Sequence, residues 1–276
     1  MARQFRQVDV FTKTPYRGNP LAVVHDASGL TVAAMQRFAS WTNLSETTFL
    51  LPPDDTDADY RVRIFTPTRE LPFAGHPTLG SCHAWLEAGE QPRHPGVVTQ
   101  QCGAGLVAIR VADGELAFAA PPLVRSGPVS DELAGQVAQL LGIGRADIVD
   151  LQWADNGPGW IAVLLASAEA VLAVQPQSGD LDVGIAGPHQ PGGPAAFEVR
   201  AFFPAGGVTY EDPVTGSFNA SLAQWLLSTG RAQAPYLARQ GTALGRNGQV
   251  RVSQDAHGQV WVGGSVVTCV SGTVDL

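Results

Sequence analysis

A chain of 276 residues with 45% hydrophobic and 15% charged residues has room for one large core or two modest ones, and its composition excludes a disordered chain. Lys plus Arg is 17 and Asp plus Glu is 25, a formal net charge of −8, and Lys13 is the single lysine. With no basic run longer than Arg61-Val-Arg63 and no apolar stretch near the roughly 18 residues of a membrane span, nucleic-acid binding and membrane spanning are both disfavoured.

The N-terminal MARQFRQVDVFTKT passes directly into strand-like alternation without an apolar leader, which predicts a cytoplasmic protein. PYRGNPLAVVHD reads as a turn followed by a β-branched run, and TVAAMQRFASW has helical spacing with Val32, Met35, Phe38 and Ala39 on one face. SETTFLLPP reads as a strand stopped by two prolines, YRVRIFTP alternates, and HPTLGSCHAWLEAG is a helix closed by Gly89. GVVTQQCGAGLVAIRVADGELAFAAPP is a meander with a hairpin at Asp113-Gly114.

APPLVRSGPVSDE is the best candidate for a boundary between two domains, 1–122 and 123–276. Beyond it, SDELAGQVAQLLG is a capped helix, GWIAVLLAS a buried strand and AAFEVRAFFP an alternating strand. Asp212-Pro213 then has the chemistry of a helix start, Asp at the cap and Pro at the first helical position. QVRVSQDAHGQVWVGGSVV closes the chain as a hairpin-rich sheet.

Two stretches repeat one another: VRIFTPTRELPFAGHPTLGSCHAW and VRAFFPAGGVTYEDPVTGSFNASLAQW. The alignment pairs Arg63 with Arg200, Phe65 with Phe202, Pro67 with Pro204, His76 with Asp212, Pro77 with Pro213, Gly80 with Gly216 and Ser81 with Ser217. Each unit ends a strand in a loop and opens a helix, whose first turn offers unpaired N–H groups and a partial positive charge. Two such domains facing one another would aim two helix N-termini at one ligand, with a carboxylate as the fitting group and His76 and Asp212 on either side. Glu46, set against Phe49-Leu50-Leu51, is a candidate acid and base whose pKa would be raised by apolar surroundings. Its other reading is a capping partner of Asn43, or a solvated strand end.

The alternatives are weaker. The histidines lack metal-ligand spacing, GTALGRNG lacks the lysine of a phosphate loop, and Ser45 sits in no Gly-x-Ser-x-Gly elbow. Cys82, Cys102 and Cys269 are odd in number and widely spaced, as expected of free thiols in a reducing compartment.

The motifs VDVFTKTPYRGNPLAVV, LSETTFL, FTPTRELPFAGHPTLGS, EDPVTGS and QGTALGRNGQVRV, in this order, resemble those of the PhzF-like family of phenazine-biosynthesis isomerases, from about residue 7 to 264. The resemblance implies a diaminopimelate epimerase-like α+β fold, two pseudo-symmetric domains in which a curved, mainly antiparallel sheet wraps a central helix. It further implies a homodimer and a cofactor-free isomerase acting on a small carboxylic acid. By the same resemblance Glu46 is the acid/base, and His76 and Asp212 flank the substrate where the epimerase has its two cysteines. Asn19, Ser45, Gly75, Gly216 and Ser217 line the substrate site. The chain has no cysteine at either catalytic position, which disfavours thiol-based epimerisation. Phe218 replaces the family's usual alanine and Trp41-Thr-Asn its usual Glu-Leu-Asn, and both departures bear on the substrate. The reading from another class is a silent ligand-binding or scaffold protein that has kept the fold.

Overall fold

The computed structural model describes all of residues 1–276. In chain order the elements are β1 (Ala2–Val10), β2 (Asn19–Val24), α1 (Val32–Thr42), β3 (Glu46–Leu51), β4 (Tyr60–Phe65), β5 (Glu70–Leu71), α2 (Gly75–Glu87), β6 (Val97–Cys102), β7 (Gly105–Ala112) and β8 (Glu115–Ala119). They continue as β9 (Arg125–Pro128), α3 (Asp131–Leu141), β10 (Ile148–Asp155), β11 (Ile161–Leu165), α4 (Ala168–Ala173), β12 (Val183–Pro188), β13 (Phe197–Ala205) and β14 (Val208–Asp212). The last are α5 (Gly216–Ser228), β15 (Tyr236–Gln240), β16 (Gly248–Gln254), β17 (Val260–Gly264) and β18 (Val266–Asp275). This is a sheet-dominated α+β protein.

The chain divides into two compact units, Met1–Ala119 with Gly263–Leu276, and Ala120–Val262. The sequence reading assigned the whole of 123–276 to the second domain. The C-terminal segment instead returns to the first, because β18 lies antiparallel along the full length of β1, from Ala2↔Asp275 to Val10↔Val266. A strand's partner is chosen by long-range pairing that no local composition records.

Both units follow one plan. In the first, β1 and β2 are antiparallel, β2 and β3 parallel, β3 and β4 antiparallel, β4 and β5 antiparallel, β4 and β6 parallel, and β6 and β7 antiparallel. In the second, β10, β11, β12, β13, β14, β15 and β16 repeat these relations in the same order and sense. The parallel pairing of β11 with β12 accounts for the continuous apolar run of β11, every residue of which is buried. At the β7–β8 turn Asp113 and Gly114 both have positive φ, 52° and 74°, as the hairpin signal requires.

The central helices are α2 and α5. Apolar or small residues cover most of their circumference, and such a helix is stable only when enclosed. Gly80 is needed for that enclosure in the first unit, because a Cβ there would press on Leu21, Val8 and Val10. The amphipathic helices lie elsewhere: α1 packs Met35 and Ala39 with Phe49 and Phe65, and α3 packs Val137 and Leu141 with the β10–β13 strands.

Asp212 is not the cap of α5. It is the last residue of β14, opposite Ala201, and the helix begins at Gly216 with Thr215 as its N-cap residue. The repeat is therefore out of step with the alignment made from sequence. The ion pairs fix the true register: Arg63 binds Glu70 through two bonds of 2.7 and 2.6 Å, and Arg200 binds Glu211 at 3.0 and 2.8 Å. Phe65 stands opposite Glu70 as Phe202 stands opposite Glu211. Reading on at constant spacing matches Gly75 with Gly216 and His76 with Ser217, not with Asp212. The two prolines misled because the first helical turn and the preceding loop both tolerate a missing N–H. Pro77 is in the first turn and Pro213 in the loop.

Candidate active site

In the first unit three predicted residues meet. Asn19 opens β2 beside the buried Gly18, where a Cβ would collide with the Val10 carbonyl oxygen. Glu46 opens β3, opposite Leu21, after α1 has ended in a left-handed Asn43 at φ 55°. His76 is the second residue of α2 and 5% exposed.

The Asn19 amide nitrogen lies 3.3 Å from His76 Nδ1, and His76 Nε2 lies 3.2 Å from Glu46 Oε2. An amide N–H donated to Nδ1 places the ring proton on Nε2, facing the glutamate. The alignment at Nε2 falls short of a full hydrogen bond, so this is a close polar contact. Burial pushes the His76 pKa down to about 3, so the ring is neutral and its contact with Glu46 is dipolar, not an ion pair. Ser45 is half-buried beside Glu46, and Gly75 is the first helical residue.

The second unit holds the remaining predicted residues. Asp212 Oδ2 accepts a 2.6 Å hydrogen bond from the Thr215 hydroxyl. Gln240 braces the same turn: its Nε2 donates to Asp212 O and Thr215 Oγ1 at 3.1 and 2.9 Å, and its Oε1 accepts from Thr215 N at 3.0 Å. Gly216 and Ser217 begin α5, and Ser217 Oγ accepts from the Trp160 indole at 3.1 Å, while its carbonyl accepts from Asn156 Nδ2 at 2.9 Å.

Capping separates the two central helices from the others. Thr31, Ser130 and Ser167 each cap α1, α3 and α4 with a side-chain hydrogen bond. Neither Ala74 before α2 nor Thr215 before α5 does so. Alanine has no group to offer, and the Thr215 hydroxyl is engaged by Asp212. Both helices therefore begin without a side-chain cap on their first-turn N–H groups, the condition for receiving an anionic group, although Gln240 takes the N–H of Thr215 itself.

The departures from the family pattern fall outside these contacts. Phe218 is fully buried, with its ring 5.4 Å from Trp160 and lying where a Cβ on Gly184 would sit. Trp41 is 80% exposed on α1, stacked on Phe38. Burial raises the thiol pKa values of Cys82, Cys102 and Cys269, so none is an activated thiolate. No group of three His, Cys, Asp or Glu side chains is placed to hold a metal ion. Sequence reasoning missed Trp160, Asn156 and Gln240 as site residues, because single polar or aromatic residues in loops and strands carry no motif. The repeat does not find Trp160 either, because in the paired strands Trp160 takes the place of Leu21 and not of Asn19.

Residues 8–272 match the family described as phenazine biosynthesis-like protein, PhzC-PhzF. The chain belongs to the PhzF family. It is 37% identical to antisense-enhancing sequence 1 of Schizosaccharomyces pombe, over 97% of each chain. It is 34% identical to the trans-2,3-dihydro-3-hydroxyanthranilate isomerase of Pseudomonas fluorescens, over 98% of each. The PhzF-family crystal structure from Bacillus anthracis shares the fold with a TM-score of 0.84 and 22% identity, covering 100% of both chains. The wider epimerase-like fold extends to a hydroxyproline epimerase from Agrobacterium vitis, at a TM-score of 0.59 and 16% identity, over 99% of this chain and 92% of that one. Like its named PhzF relatives, the protein is an isomerase.

Proposed function

We propose that this PhzF-family isomerase shifts a proton within a small carboxylic acid without a cofactor, with Glu46 as the acid and base. The carrying observation is the Glu46 carboxylate held 3.2 Å from a neutral, buried histidine. A neutral imidazole does not neutralise the carboxylate as an imidazolium would. In the first step a substrate C–H bond breaks, an O–H bond forms on Glu46, and the electron pair moves into the adjoining unsaturated system. In the second the Glu46 O–H breaks and a new C–H bond forms at another carbon. His76 Nε2–H steadies the carboxylate and then the acid. Asp212 positions and polarises the substrate. The uncapped N-terminus of α5 at Gly216 and Ser217 takes the substrate carboxylate, and Asn19, Ser45 and Gly75 line the site. Three free cysteines are in keeping with action in the reducing cytoplasm.

The first substrate to test is trans-2,3-dihydro-3-hydroxyanthranilate, the compound for which the Pseudomonas fluorescens relative is named. Turnover in deuterated water, followed by mass spectrometry, should place up to one solvent deuteron in the product, entering where the Glu46 O–H exchanges with solvent between the two steps. If none of a panel of unsaturated and hydroxylated carboxylic acids is isomerised or exchanges, the proton-shift reading fails and the silent scaffold takes its place.

A further inference from the structure

The reaction proposed above gives no role to Asp9 or Asp155, yet each makes the same pair of bonds in its own unit. Asp9 is 2% exposed at the end of β1, and its Oδ2 accepts the backbone N–H groups of Arg17 and Gly18 at 2.7 and 2.9 Å. The next residue is Asn19, whose amide meets His76. Asp155 ends β10, and its Oδ1 accepts the N–H groups of Gly157 and Gly159, both at 2.7 Å. The next residue after these is Trp160, whose indole N–H meets Ser217. Strand pairing matches Asp9 with Asp155, and His76 matches Ser217 in the corrected repeat; Asn19 and Trp160 reach those partners from different positions, Trp160 standing where Leu21 stands in the first unit. The two units thus share a sequence of contacts: carboxylate, loop backbone, side-chain N–H, second residue of the central helix.

Both loops need such bracing. Gly157 and Gly159 have φ of 138° and 103°, conformations that hold no fixed shape without an anchor, and Gly18 is pressed against Val10. Charge-assisted bonds from backbone N–H to a carboxylate are short and roughly twice as strong as neutral ones. The donor each loop delivers decides the hydrogen-bond state of the residue it meets. Asn19 holds the His76 proton on Nε2. Trp160 occupies a lone pair of the Ser217 hydroxyl, so that hydroxyl acts toward a ligand as a donor, the polarity a carboxylate requires.

We propose that Asp9 and Asp155 are matched positioning residues, Asp9 setting the tautomer of His76 through Asn19, and Asp155 setting the donor polarity of Ser217 through Trp160. The functional consequence rests on the roles assigned above to His76 and Ser217, and the test reads the contacts in ligand-free protein, so the two can fail separately. In nitrogen NMR, Asp9→Ala should convert a single His76 Nε2–H form into a mixture while the Trp160 indole signal stays in place. Asp155→Ala should move the Trp160 indole signal and leave His76 unchanged. Asp9→Asn, whose amide oxygen can still accept both N–H groups, should restore the Nε2–H form. With a turned-over substrate, Asp9→Ala should lower kcat by about tenfold or more with little change in KM, and Asp155→Ala should chiefly raise KM. Should Asp9→Ala not fold, Asp9→Ser, too short to reach both N–H groups, is read the same way. A folded Asp9 variant with wild-type His76 signals, or Asp155→Ala with an unmoved indole signal, overturns the proposal.

Discussion

At the residue scale the site depends on a histidine kept neutral by burial. The unfolded chain's His76 titrates near the usual 6.5 and the folded one at about 3. Between these values the unfolded state takes up a proton that the folded state refuses, so this contribution to stability is fully present above pH 6.5 and is lost as pH falls toward 3. The slope approaches about 1.4 kcal/mol per pH unit for one proton. His25 and His83 are lowered by burial too and add slopes of the same sign. In urea titrations from about pH 4 to 6, His76→Gln should flatten the pH dependence by up to that one-proton slope. Glu46→Gln keeps size and hydrogen bonding but cannot take a proton, so deuterium exchange into substrate should fall by about 100-fold or more while the protein folds normally. Asp212→Asn still accepts from Thr215 and should cost less. Unchanged exchange in Glu46→Gln would remove Glu46 as the base. Iodoacetamide at neutral pH should leave turnover within about twofold, since no cysteine is an activated thiolate.

At the element scale, what marks the two functional helices is what they lack. The helices α1, α3 and α4 are capped by hydroxyls, whereas the N-cap residues of α2 and α5 make no side-chain capping bond. In α5 this open end is held in place by packing one residue further on, where Phe218 lies over Gly184 and beside Trp160. Removing the ring leaves a cavity in a fully buried position. Phe218→Ala should cost about 3–5 kcal/mol in chemical denaturation. Gly184→Ala drives a methyl group into the same ring and should destabilise by about 1–3 kcal/mol. A wild-type midpoint for either variant would show that α5 is not seated this way.

At the scale of the whole molecule, one sheet plan is used twice, and the chain's last strand completes the first copy, not the second. Because β18 covers β1 from Ala2 to Val10, deleting residues 265–276 should expose that entire edge. Hydrogen exchange should then show β1 and β2 losing protection first, with β11 and β12 of the second unit protected longer. Equal loss in both units would mean that the C-terminal strand is not specific to the first.

The repeat, the family's motifs and the reactive residue types were legible in the chain, because each is a local pattern: alternation in strands, Gly and Pro at turns, and a glutamate against an apolar run. Register was not legible, because His76-Pro77 and Asp212-Pro213 are alike as letters, and only the paired strands and the Arg–Glu bonds show that they differ in place. The Asn19–His76–Glu46 contact, the bracing by Asp9 and Asp155 and the Trp160–Ser217 bond were decided by folding alone. They join residues far apart in sequence, and a hydrogen bond between distant side chains leaves no periodicity behind. The neutrality of His76 has the same origin, since it depends on the removal of water, a property of the packed molecule and of no single stretch of chain.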